Sequence, residues 1–165
     1  MKPENILFDT KEKKHIRLID LQLIQTLDKE TKGQKDFDKV LPIADLPPKV
    51  QGTPYYMAPE SFELIYDYKS DLWAVGCILY LMLTGVPPFN ATTDAEVIAK
   101  VKKGKWAVET LHRRNLSDLV IDFIKKLICP LEERMNIREA LKHDWIIPEK
   151  EKRGERKEQF MVSLE

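Results

Sequence analysis

The stretch from Asp71 to Leu83, reading DLWAVGCILYLML, constrains this chain more than any other. It is apolar almost all round, the pattern of a helix buried on every side. A membrane span needs roughly 20 apolar residues, and here Gly85, Pro87 and Pro88 follow at once. The run therefore predicts a buried central helix with the rest of the chain wrapped around it. A chain of 165 residues with 43% hydrophobic content supplies one such core. Three further helices are expected around it. Asp94 opens AEVIAKVKK, with Ala95, Ile98, Ala99 and Lys102 at helical spacing and Gly104 as the stop. Ser117 and Asp118 open LVIDFIKKLI, where Leu119, Phe123, Ile124 and Leu127 share a face and Pro130 closes the run. Asn136 caps IREALKHDWI, with Ile137, Ala140 and Leu141 inward.

Before the central helix the pattern changes. Ile6-Leu7-Phe8 and His15-Ile16-Arg17-Leu18-Ile19 are short apolar runs joined by a polar loop, which predicts a small N-terminal β-hairpin. From Gln25 to about Lys49 the chain is polar and charged, with Pro42, Pro47 and Pro48, and a long exposed loop is expected. Nearly every residue from Glu149 to Glu158 is charged, so the tail reads as a solvated helix or a disordered segment. The fold class is thus mainly α with a small N-terminal hairpin. The 27 basic and 27 acidic residues cancel, so no global field draws the chain to nucleic acid or an anionic membrane. Cys77 and Cys129 form no CxxC, and His15, His112 and His143 show no ligand spacing. With no secretory signal pattern at the start, a cytoplasmic or nuclear location is expected.

Chemistry gathers in two places. Lys2-Pro3-Glu4-Asn5 precedes the first strand and Asp20 ends the second, placing a cation, an amide oxygen and a carboxylate at one end of the hairpin. Lysine is a point charge suited to phosphate, and Asn and Asp oxygens are the hard ligands Mg²⁺ prefers. Each alone is equally a turn former at a strand end. Gly52-Thr53-Pro54-Tyr55-Tyr56-Met57-Ala58-Pro59-Glu60 is the second cluster, and Asp71-Leu72-Trp73-Ala74-Val75-Gly76 follows it.

In this order the segments resemble the eukaryotic protein kinase family. KPENILF is similar to the end of the catalytic loop and the strand after it, IRLIDLQ to the magnesium-binding loop, and GTPYYMAPE to the substrate-binding loop. The resemblance runs from residue 1 to about residue 147 and includes Arg134 and Trp145. Lys2 and Thr53 resemble the serine/threonine branch, and YYMAPE with Gly85 to Phe89 is similar to the calcium/calmodulin-dependent group. The resemblance implies a kinase C-lobe over residues 1–147, with an activation segment from 20 to 60 and a charged tail over 148–165. It implies ATP and magnesium as cofactors, and a protein or peptide substrate or regulatory protein as partner. Lys2 would touch the γ-phosphate, Asn5 and Asp20 would hold Mg²⁺, and Thr53 would seat the substrate hydroxyl. Glu60 would pair with Arg134 in a buried ion pair, and Asp71 would hold the catalytic-loop backbone.

The chain departs from the family pattern in stated ways. Asp20-Leu21-Gln22 stands where the family has Asp-Phe-Gly, and Gln22 lacks glycine's freedom at positive φ, which weighs against magnesium binding. Cys129-Pro130 replaces the Asp-Pro that often precedes the late arginine. The general-base Asp of the family would fall just before Met1, and the glycine-rich loop, strand lysine and helix glutamate are not in the chain. The activation segment is long, with Thr26 and Thr31 read as loop filler. Three readings follow: part of a full kinase, a non-catalytic binding or scaffold module, or an inert remnant. For this chain by itself, phosphotransfer is not expected.

Overall fold

The computed structural model describes residues 1–9, 15–20, 52–65 and 67–147. The long loop expected at 25–49 and the charged tail lie outside the described residues. Two strands, β1 (Ile6–Phe8) and β2 (Ile16–Leu18), pair antiparallel with Leu7 opposite Arg17. Five helices follow: α1 (Lys69–Thr84), α2 (Asp94–Lys103), α3 (Val108–Arg113), α4 (Asp118–Leu127) and α5 (Ile137–Lys142). Tight 3₁₀ turns at Pro3–Asn5, Pro54–Tyr56 and Pro59–Glu63 each carry a proline in the first turn, where its missing N–H costs nothing.

The central helix is α1. The Asp67 carboxylate accepts from the Lys69 N–H at 2.7 Å to start it, and Gly85 ends it in the left-handed region at φ 80°. Between those ends Leu72, Trp73, Ala74, Gly76, Cys77, Ile78 and Tyr80 are buried, while Asp71 and Met82 near the termini face water. The main core joins α1 to the buried residues of α2, α3 and α4, including Val97, Val101, Leu111, Ile121 and Ile124. Trp73 stacks on Phe89 within it, centroids 5.5 Å apart. A second cluster, Leu72, Phe123, Leu127, Met135 and Ala140, fastens α5 to the opposite flank. Close approach of α1 and α4 depends on Gly76, where an added Cβ would lie 2.8 Å from Leu127 Cβ.

Capping follows the sequence more closely than helix phase does. Ser117 accepts from the Val120 N–H, and Asn136 forms a reciprocal capping box with Glu139. Gly104 stops α2 at φ 63°. The inward face of α2, however, is Val97 and Val101 rather than Ala95, Ala99 and Lys102, because the branched side chains bury more apolar area than alanine. On α4, Val120 and Ile121 are buried beside Phe123, Ile124 and Leu127, and Leu119 faces solvent. On α5 only Ala140 is buried; Ile137 and Leu141 stay largely exposed. Helix α3 had no sequence expectation at all.

Candidate active site

The hairpin brings the first cluster together. Asn5 closes a 3₁₀ turn whose N–H returns to the Lys2 carbonyl at 3.1 Å, and its own carbonyl accepts from the Ile19 N–H at 2.9 Å. That bond continues the β1–β2 ladder by one step, so Asn5 and Asp20 stand at the same end of the hairpin. Asp20 is exposed and its backbone is left-handed, φ 59°, a conformation aspartate tolerates better than most residues. Lys2 sits one turn earlier, half-buried.

The second cluster lies within electrostatic reach of this turn. Thr53 precedes the Pro54–Tyr56 turn and its carbonyl accepts from the Tyr56 N–H. Burial, and after it the Glu4 carboxylate, raises the Tyr56 phenol above the ordinary tyrosine range, so the loop and the Lys2–Asn5 turn share an electrostatic environment. The Tyr55 hydroxyl donates to the Ala91 carbonyl at 3.4 Å, which ties the same loop to the approach of α2. Asp71, exposed at the start of α1, lies 3.9 Å from the Met1 amino nitrogen.

Beneath the loop Arg134, fully buried, holds Glu60 through a two-pronged ion pair at 2.6 and 3.1 Å. Its remaining N–H groups donate to the carbonyls of Lys69 and Cys129, and its guanidinium lies 4.9 Å from the Trp73 ring centroid. Ser70 donates to Glu60 at 2.7 Å. Sequence reasoning gave Glu60 and Arg134 this role, quoted Trp73 only as part of the Asp71–Gly76 motif, and did not name Ser70, whose only signal was its position on the first turn of the buried helix. The Trp73 indole N–H is buried without a partner among the described residues, and nothing in the structure explains it. At Cys129 the carbonyl serves Arg134, so the residue acts through its backbone whatever its side chain.

The described residues hold no cluster of three metal-ligating side chains. Asn5 and Asp20 nevertheless fit magnesium as the family uses it, since Mg²⁺ is bound by one or two hard oxygens with phosphates completing its shell. The residues thus suit a metal that arrives with nucleotide, not a metal-only cage. Of the histidines, His143 is structural: Nε2 lies 2.9 Å from Asp122, and Nδ1 accepts from the Trp145 N–H. His15 and His112 are exposed, and Cys77 is in the core.

A mainly helical body built on a buried α1, with this hairpin and an Ala-Pro-Glu loop pinned from below, has the architecture of a kinase C-lobe. The protein kinase domain model matches residues 1–146, and the chain belongs to that family. Its relatives are named as calcium-dependent protein kinases. Calcium-dependent protein kinase 4 of Plasmodium falciparum is 36% identical over 149 residues, 88% of this chain and 26% of the relative. Calcium-dependent protein kinase 3 of Plasmodium yoelii yoelii is 38% identical over 159 residues, 93% of this chain and 26% of the relative. Calcium-dependent protein kinase 24 of rice, Oryza sativa subsp. japonica, is 38% identical over 99 residues. The chain therefore spans about a quarter of the length of the Plasmodium relatives, 26% in each case. No described helix is long and apolar enough to cross a membrane.

Proposed function

We propose that this chain is the magnesium-side and substrate-side lobe of a serine/threonine protein kinase that works with Mg²⁺ and ATP. The observation that supports the reading is the Ile19 N–H to Asn5 carbonyl bond at 2.9 Å, which sets residues Asn5 and Asp20 at the same end of the hairpin. When bound, Mg·ATP supplies the phosphoryl group and neutralises charge as it moves. Lys2 contributes a mobile positive charge for the γ-phosphate, Asn5 and Asp20 offer hard oxygens, and Thr53 orients the acceptor hydroxyl. The loop that presents Thr53 is held in place by Glu60 and Arg134, and Asp71 steadies the start of the chain.

By itself the chain does not complete this reaction. It contains no His-Arg-Asp, and its six glycines are dispersed, with no glycine-rich phosphate loop among them. Phosphotransfer would then belong to a longer protein in which this lobe is one half. Two free thiols fit a reducing, cytoplasmic setting. Asp20-Leu21-Gln22 favours a second reading, a non-catalytic module that captures a peptide or regulatory protein without turnover.

The deciding assay incubates the purified chain with Mg²⁺, labelled ATP and a generic basic peptide, beside a longer protein that adds the coding sequence preceding Met1. Turnover by the longer protein alone is expected. Turnover by the short chain overturns its inactivity. No turnover by either, with the peptide still captured, selects the scaffold reading.

A further inference from the structure

Charge is unevenly placed on this molecule. The chain carries a formal net charge of +0, yet between Val97 and Ser117 Lys100, Lys102, Lys103, Lys105, Arg113 and Arg114 face a single acidic residue, Glu109. All six cations are exposed, on the C-terminal half of α2, the turn after it and the end of α3. Lys100 donates to the Asn90 carbonyl at 2.6 Å and Arg114 to the Thr84 carbonyl at 2.8 Å, both backbone oxygens without net charge. Among the described residues none of the six forms an ion pair with a carboxylate. The negative ends of α2 and α3 give Lys102, Lys103 and Arg113 a local role. Lys105 lies beyond the Gly104 stop and has no such role. Helix α3 packs on α1 and α2 on the turns at Pro54–Tyr56 and Pro59–Glu63, and Val97, Val101 and Leu111 anchor the ridge to the core, so its charges are presented from a rigid base.

The surroundings narrow the kind of anion it fits. A nucleic-acid strand calls for exposed rings on which bases stack, but Trp106 is half-buried, its indole N–H donates to the Ile128 carbonyl, and its ring meets Tyr80 edge-on. Membrane insertion calls for large apolar side chains beside the cations; the outward apolar residues of α2 are Ala95 and Ala99, and the exposed Met82 and Val86 flank only the Thr84 that Arg114 reaches. Beside the lysines runs a shallow depression lined by Ala91, Thr92, Glu96, Ala99, Lys100 and Lys103. The Glu96 carboxylate in it is turned toward the N–H groups of Thr92 and Thr93. An extended peptide can lay its backbone there with its carboxylates on the lysines.

We propose that the ridge from the second half of α2 through α3 is a docking surface for an acidic segment of another protein. This stands independently of phosphotransfer, because it needs none of the hairpin residues. The test is fluorescence anisotropy of a labelled oligoglutamate peptide titrated with the full chain at low and raised salt. Saturable binding that weakens with salt is expected, since exposed charges are screened over roughly 10 Å at ordinary ionic strength. Lys102→Glu, Lys103→Glu and Lys105→Glu together should weaken binding by about tenfold or more, as reversal turns attraction into repulsion. Lys125→Glu with Lys142→Glu, equally exposed on α4 and α5, should leave it unchanged. If the reversal disturbs folding by circular dichroism, the same three positions changed to Gln give the reading instead. The proposal is overturned if the peptide fails to bind at low salt, or if native-like variants bind it as well as the parent. Tighter binding of a DNA oligonucleotide or of phosphatidylserine vesicles than of the peptide also overturns it.

Discussion

Every guanidinium N–H of Arg134 ends on an oxygen inside the protein: two on Glu60, two on Cys129 and one on Lys69. A charge this deep is tolerable only because its partners are complete. Arg134→Met or Glu60→Gln should each lower stability by about 3–5 kcal/mol in urea unfolding, because each strands a buried partner. Replacing both at once by apolar residues should cost less than the sum of the singles. The thiols give a second residue-level readout. Burial raises the Cys77 thiol far above the ordinary cysteine range, and Cys129 is raised by partial burial against the opposing pull of Arg134. Higher thiol pKa values mean less thiolate at neutral pH. Iodoacetamide followed by mass spectrometry should therefore modify Cys129 slowly and Cys77 only once the chain unfolds. The Glu60–Arg134 pair was legible at this scale only through the resemblance to the kinase family, since its members stand 74 positions apart. The carbonyls of Lys69 and Cys129 were not, since a backbone acceptor leaves no trace in residue identity.

Between helices, the decisive contacts are shape and charge at close range. Gly76→Ala should cost about 1–3 kcal/mol by overpacking, as the new methyl would meet Leu127 Cβ at 2.8 Å and Ile128 Cγ1 at 2.9 Å. Thermal unfolding followed by circular dichroism measures it. Helix α4 is joined to the segment after α5 by Asp122, which the hydrogen bond from Lys126 and then that from His143 hold below the usual carboxylate range, against the opposing effect of burial. A carboxyl depressed by folding contributes stability above its unfolded pKa and loses it as pH falls through the folded one. The stability gap between the parent and Asp122→Asn should thus be present at neutral pH and close on acidification, checked by urea melts across acid pH. At this scale the caps were legible and the phases were not. Ser117, Asn136 and Gly104 each act through bonds within the neighbouring few residues, whereas the inward face of α2 depends on what packs there. Alanine and valine alternate along that helix, so periodicity alone could not choose between faces. Helix α3, VETLHR, is too short for a period to register and starts at Ala107 without a side-chain cap.

At the level of the whole molecule the hairpin turns an apolar face to water. The register sets Ile6, Phe8, Ile16 and Leu18 on one face, and of these Phe8, Ile16 and Leu18 are 59%, 61% and 46% exposed. A two-stranded hairpin with a wet apolar face is a liability for association. Ile16→Lys with Leu18→Lys should reduce light scattering of the concentrated chain while leaving the helical melting transition in place. The sequence motifs made the lobe recognisable because kinase chemistry needs its groups in a set order, and the overall architecture followed. The long segment between Asp20 and Gly52 carries no such motif, and its expected loop lies outside the described residues. One contact also times the assembly. Glu60 and Arg134 are 74 positions apart, so their union must wait until most of the intervening chain has been gathered. Closing so wide a loop carries an entropic cost that must be met before the contact can reward it, which predicts that the pair forms late in folding. Arg134 is therefore a latch more than a seed: its loss should hasten unfolding far more than it delays folding, with both limbs read by stopped-flow in urea.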